Sequence, residues 1–270
     1  MPTLARGDAT LHYSLAGEGP PILFIQGVGV IGAGWQPQVD MLRERFTCCT
    51  FDNRGIGQST SERPPASIEQ LAGDALALLD TLGWAQAHVV GHSMGGLIAE
   101  QLALAARERV LGLALLCTPA SGRAGARPSA RIAWIGMRSR VGTRAMRRRA
   151  FLELVLPRAM QTNAAELDAW AERLALLFGR DLADNPPIVL QQLRAMAKHD
   201  VRARLHELAG VPTLVVSARE DPIAPPQAGA STAASIPGAT HVVIEDASHG
   251  VPITHAARIN ALVAEALAKP

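Results

Sequence analysis

The sequence predicts an α/β protein, a mostly parallel, doubly wound sheet of about eight strands carrying one inserted helical segment. Three observations lead there. Short apolar runs alternate with stretches of helical periodicity. A serine stands between glycines where one such run gives way to a helix-like segment. The alternation breaks once, between about Pro119 and Arg204, where only Arg-rich and Leu/Met/Ala-rich helical stretches occur, punctuated by Pro157 and Pro186-Pro187.

In chain order, strands are predicted at Thr10 to Leu15, Ile22 to Gln26, Phe46 to Phe51, Ala87 to Val90, Gly112 to Cys117, Thr213 to Ser217 and His241 to Ile244. Helical periodicity fills Ile68 to Leu82 and Leu97 to Ala106. Strands that are apolar throughout, with helices between them, belong to a parallel sheet covered on both faces. The domain division that follows is a core of residues 1–118 and 205–270. A mainly helical cap occupies 119–204, its last helix returning to the core.

Composition narrows the class. The chain has 270 residues, 48% of them hydrophobic and only 4% aromatic, enough to bury a sizeable core of closely packed strands and helices. The stretch from Met1 to Asp8 lacks an apolar signal core, and no run is long enough to span a membrane, so a cytoplasmic protein is expected. Cys48, Cys49 and Cys117 cannot form a paired framework and are read as reduced packing residues. Cys48 and Cys49 are adjacent in a strand, so their side chains point to opposite faces. No Cys/His spacing suits a metal, and no cofactor is expected. A net charge of +2, without a nucleic-acid-binding motif, argues against a nucleic-acid partner. A homodimer is left open.

The chemistry begins at Gly91-His92-Ser93-Met94-Gly95-Gly96. A serine in a sharp strand-to-helix turn is thrust out above the sheet, the arrangement called a nucleophile elbow. A serine hydroxyl is a poor nucleophile at neutral pH and needs a histidine base held by a buried carboxylate. Asp221 follows the strand Thr213 to Ser217 through a short turn and precedes Pro222; Glu220 is its near rival. Of eight histidines, only His249 sits in a loop after the last strand with a glycine beside it.

The chain resembles the α/β-hydrolase superfamily over essentially its whole length. Besides the elbow and the Asp and His positions, Phe51-Asp52-Asn53-Arg54-Gly55-Ile56-Gly57-Gln58-Ser59 is similar to the family's D-x-R-G-x-G-x-S loop. The stretch Phe24-Ile25-Gln26-Gly27-Val28-Gly29 follows a strand where many relatives have His-Gly in place of Gln26-Gly27. The resemblance implies Ser93, Asp221 and His249 as catalytic residues, and backbone N–H groups of Val28 and Met94 as the oxyanion hole. Asp52 and Arg54 are then structural braces. Gln26, Gly27, Trp35 and Trp134 are assigned to the substrate pocket, with an apolar lining from the cap.

What the resemblance implies first is hydrolysis of a small-molecule ester or lactone, or of a CoA- or carrier-linked thioester. Cleavage of a carbon–carbon bond in a β-diketone and perhydrolysis are further alternatives. A ligand-sensing receptor that keeps the triad is the non-enzymatic one. The cap also shows a charge bias: Arg123, Arg127, Arg131, Arg138, Arg140, Arg144, Arg147, Arg148 and Arg149 occur with no Asp or Glu among them. They read either as a solvated helix face or as a dock for an anionic group.

Overall fold

In the computed structural model, which describes residues 2–126 and 129–268, nine strands form one sheet. They are β1 (Thr3–Arg6), β2 (Ala9–Ala16), β3 (Pro21–Ile25), β4 (Thr47–Phe51), β5 (Thr60–Ser61), β6 (Ala87–His92), β7 (Val110–Leu116), β8 (Thr213–Ala218) and β9 (Thr240–Ile244). Eight run in the order β1-β2-β4-β3-β6-β7-β8-β9, and β5 pairs with β2 beside them. From β4 to β9 along that order every pairing is parallel, while β1 and β2 are antiparallel. All seven apolar runs are strands. β1 and β5 escape such a reading because β1 is mostly exposed and β5 has two residues.

The helices are α1 (Gln36–Leu42), α2 (Ile68–Thr81), α3 (Met94–Ala105), α4 (Gly122–Ala126), α5 (Ala130–Arg138), α6 (Arg144–Val155), α7 (Ala164–Phe178), α8 (Pro187–Ala197), α9 (Pro226–Ser235), α10 (Val251–Thr254) and α11 (Ala256–Leu267). α2 starts where the Ser67 hydroxyl accepts the Gln70 N–H at 3.2 Å. α3 starts three residues before its apolar periodicity does, because Gly95 and Gly96 are poor helix formers that the elbow nevertheless requires.

Strand alternation sorts the core into two layers. Cys48 packs with Phe24, Val39 and Ile259 on the face that α1 and α11 cover. Cys49 packs with Leu71, Leu78 and Ile98 on the face covered by α2 and α3. All three cysteines are buried and free.

Between β7 and β8 lie α4 to α8. They bury an apolar cluster of their own, with Leu152, Leu174 and Phe178 packed on Val30 of the core. Met196 of α8 instead joins the sheet's main cluster. The D-x-R-G-x-G-x-S loop is locked from inside. Arg54 forks onto both carboxylate oxygens of Asp74 at 2.9 and 2.8 Å and reaches Asp8 at 2.5 Å. Asp52 accepts the Gly32 and Gln58 N–H groups at 2.7 and 2.9 Å. Among the described residues no helix is long and apolar enough to cross a membrane.

The chain leaves β3 toward β4 on one side, and β6 lies on the other. At such a reversal, the loops at the carboxyl ends of the two strands diverge and leave a crevice. β3 ends in Gln26-Gly27-Val28 and β6 ends at Ser93.

Candidate active site

Ser93 follows β6 directly and caps the start of α3 with φ +56° and ψ −120°. That is an unfavourable backbone for a side-chain-bearing residue and persists only where the surroundings impose it. They do so by close packing. A Cβ at Gly95 would lie 2.0 Å from the Ile25 carbonyl oxygen, so only glycine lets the new helix approach β3. The Ser93 N–H is tied to the Leu116 carbonyl at 2.9 Å, and the Gly96 N–H to the Ser93 carbonyl at 3.0 Å.

Three side chains distant in sequence stand in line at this point. Ser93 Oγ lies 3.0 Å from His249 Nε2, and His249 Nδ1 lies 2.7 Å from Asp221 Oδ2. A carboxylate can only accept, so Nδ1 carries the proton; Nε2 of the neutral ring is then free to accept from the serine. Asp221 is held by its other oxygen, which accepts the Ile223 and Ala224 N–H groups at 2.7 and 2.9 Å. Glu220 points away and accepts the Arg158 N–H at 2.9 Å. The buried Cys117, at φ +47°, adjoins Asp221. Its thiol is pushed up in pKa by burial first and by the Asp221 charge second. Cys117, Asp221 and His249 are the one group of metal-ligand type among the described residues, but His249 and Asp221 spend their facing atoms on each other.

The Val28 and Met94 N–H groups have no acceptor among the described residues, as a pair of donors aimed at a ligand would not. The β3 loop that carries Val28 is braced on both sides. Asn53 Nδ2 donates to the Gln26 carbonyl at 3.1 Å, and Gln26 Oε1 accepts the Gly27 N–H at 3.3 Å. Gln26 thus ties its own loop. From the cap, the buried Gln192 accepts the Gly29 N–H at 2.8 Å through Oε1.

Sequence alone does not single out His92 or Gln192 as site residues, yet both brace the site. His92 Nε2 donates to the His249 carbonyl at 2.9 Å, and its ring lies 4.9 Å from the His249 ring. Burial first, and second the repulsion a protonated His249 would exert, pull its pKa down to about 3, so the ring stays neutral and keeps that donor. Its position just before the nucleophile was the available signal; a partner 157 residues away was not.

Above Ser93 and His249 opens a cavity of about 260 Å³. Gln26, Gly27 and Val28 form part of its floor, and Phe151, Leu154 and Phe178 of the cap its apolar wall. Trp35 and Trp134 do not line it. Trp35 is fully buried beneath the site, packed on Phe24 and edge-on to His92. Trp134 lies on the outside of α5, 58% exposed, although Gly136 and Ser139 further along reach the cavity. A helix presents different faces at those positions, which no count of apolar residues distinguishes. The arginine run is also less bare than it reads. Arg138 pairs with Glu153 at 2.8 Å, and Arg144 and Arg148 pair with Asp181. Those acids come from outside the run. Arg127 lies outside the described residues.

Residues 20–256 match the alpha/beta hydrolase fold family, and the chain belongs to it. It is 32% identical over 253 residues to the "Putative carbamate hydrolase RutD" of Azorhizobium caulinodans, covering 92% of this chain and 91% of that one. It is also 32% identical over 253 residues to a pimeloyl-acyl-carrier-protein methyl ester esterase of Aliivibrio salmonicida, covering 91% of each. The crystal structure of the enol-lactonase from Burkholderia xenovorans LB400 superposes with a TM-score of 0.79 at 29% identity, over 99% of this chain and 100% of that one. These relatives are hydrolases.

Proposed function

We propose that the chain is a serine hydrolase that cleaves a carboxylic ester or lactone through an acyl-enzyme on Ser93. The observation that carries this reading is the unbroken line from Ser93 Oγ through His249 to Asp221 at the foot of an apolar cavity. The relatives support it at the level of bond type, since two of them are named for an ester and a lactone.

In the proposed cycle, Ser93 Oγ attacks the substrate carbonyl as His249 Nε2 takes its proton. Asp221 stabilises the imidazolium and keeps its orientation. The Val28 and Met94 N–H groups hold the negative oxygen of the tetrahedral intermediate, each worth about 3 kcal/mol in the transition state. His249 hands its proton to the departing alkoxide, leaving the acyl group on Ser93. A water molecule then gives a proton to His249 and attacks the acyl carbon, and Ser93 departs with that proton. In a lactone the alkoxide stays tethered, and the product is a hydroxy acid.

The test pairs labelling with turnover. A fluorophosphonate is expected to add once, on Ser93, and p-nitrophenyl butyrate to give many equivalents of p-nitrophenol. Ser93→Ala abolishes both. An adduct on another serine, or product that stops at one equivalent, overturns the reading, the second outcome in favour of a ligand-sensing receptor.

A further inference from the structure

The cavity holds a cation, Arg180, whose guanidinium no described carboxylate contacts, although Asp184 also lines the cavity. Arg180 follows α7 just beyond the left-handed Gly179 and lines the cavity together with Ser93 and His249. Its Nη1 donates to the Asp184 carbonyl at 2.8 Å, which fixes the guanidinium. Its Nε is buried without an acceptor, and no described residue bonds its Nη2. A Cβ placed on Gly29 would come within 3.1 Å of Nη2. The guanidinium therefore lies against the loop whose preceding residue, Val28, offers the proposed oxyanion donor.

The neighbouring acids are already engaged. Asp181 is shared by Arg144, at 2.7 Å, and Arg148; Asp184 binds Arg144 at 3.0 Å. Arg140, whose side chain makes no bond among the described residues, is exposed and also lines the cavity. Arg144 and Arg148 thus hold both carboxylates by direct contact, and Arg140 and Arg180, which no described carboxylate contacts, are the ones at the cavity. Burial works against the Arg180 charge and pulls its pKa down, outweighing the nearby Asp184 and Asp181 charges that raise it. A half-buried guanidinium that no carboxylate contacts is costly to keep, and a carboxylate is the ligand whose charge and acceptors match it.

We infer that the substrate carries a free carboxylate in addition to the bond cleaved, and that Arg180 binds it, with Arg140 at the entrance drawing the anion in. The inference rests on the hydrolase reading of Ser93 and names the substrate class of that same site. The carboxylate belongs either to the acyl part or to the alcohol part of the ester, and the two are separable by experiment.

Wild-type kcat/KM is to be measured on charged and neutral partners of equal size. Monomethyl succinate, glutarate and adipate, each against its half-amide, test the acyl side; acetyl esters of hydroxy acids against their amides test the alcohol side. In one of the two series the charged partner is expected to be favoured by about tenfold to a hundredfold, the range of a charge-assisted hydrogen bond. Arg180→Gln is expected to collapse that ratio toward one, and Arg180→Lys to keep part of it. Added salt is expected to lower the wild-type ratio. A wild-type ratio near one in both series, or a ratio unchanged in Arg180→Gln, overturns the inference.

If both variants fail to fold, the wild type alone decides. Glutarate should inhibit neutral-ester hydrolysis competitively and its diamide should not; equal inhibition overturns the inference. Turnover of neutral esters without a charge preference overturns this inference and leaves the hydrolase reading standing. Turnover of no ester at all overturns the hydrolase reading. Titration of glutarate into wild type and Arg180→Gln then decides the anion site, since saturable binding confined to the wild type supports it and its absence overturns it.

Discussion

Asp221 and Glu220 are neighbours in sequence, yet their carboxylates face different partners. The first accepts from His249 Nδ1 and two backbone amides, the second from the Arg158 amide on the surface. Asp221→Asn is expected to lower kcat by about 10⁴-fold, because an amide facing Nδ1 imposes the wrong tautomer. Glu220→Gln keeps an acceptor at the same place and should change kcat by about twofold at most. Adding Asp221→Asn to Ser93→Ala should cost little beyond Ser93→Ala itself, since residues that act as a unit are not additive. Steady-state kinetics of the single and double variants, with burst titration to count active sites in those that keep Ser93, checks all three. A larger loss at Glu220 than at Asp221 would refute the assignment. The residue scale also shows where legibility stops. Ser93, Asp221 and His249 could be picked out because each stands at the carboxyl end of a strand. Trp35 and Trp134 could not be placed, because whether an aromatic lines a cavity depends on the direction its helix or turn faces.

At the scale of elements, α3 does two things. Its first residue presents the Met94 amide to the site, and further along it buries Glu100, 1% exposed and with Oε1 unpartnered. Burial, and secondarily the Asp200 charge, raises the Glu100 pKa from 4.5 to about 8. The folded protein therefore keeps Glu100 protonated at neutral pH, where the unfolded chain ionises it. Folding takes up a proton in that window, so this group's contribution is complete below about pH 4.5 and is lost as pH rises to about 8. The slope is about 1.4 kcal/mol per pH unit for one group. Glu100→Gln removes the titration and keeps the shape. Its stability relative to wild type should rise steadily from pH 5 to pH 8, as read by urea denaturation at several pH values. A difference between the two proteins that is independent of pH would show that Glu100 is ionised in the fold.

On the scale of the whole molecule, Arg54 joins the turn between β1 and β2, the loop after β4, and α2. Its side chain and that of Asp74 are each only 3% exposed. Arg54→Ala leaves the buried Asp74 charge with only the half-exposed Arg6 at 3.8 Å and should cost about 3–5 kcal/mol in denaturant unfolding. Arg54→Met combined with Asp74→Leu leaves no unpaired charge in the core, only the more exposed Asp8, which keeps Arg63 at 3.6 Å, and should cost clearly less. An equal loss in both would mean that packing rather than charge governs this corner. The cap is joined to the core in a comparable way. The Gly250 N–H, next to His249, donates to the Val155 carbonyl at the end of α6 at 2.9 Å, so the inserted helices help set the position of the proposed base.

Local pattern was enough for the strand–helix alternation, the elbow around Ser93 and the single interruption of the sheet. Those features depend on residue periodicity, on glycines and on the order of elements along the chain, all of which are written locally. Pairings across long separations were not legible: His92 with His249, Gln192 with Gly29, Arg54 with Asp74 and the acids that meet Arg144 and Arg148. Each joins segments that only the packing of sheet, helices and cap brings together. The same holds for Arg180. In sequence it is one arginine among many in the insertion; in the fold it lines the same cavity as the proposed nucleophile with no carboxylate in contact, because Arg144 and Arg148 hold Asp181 and Asp184.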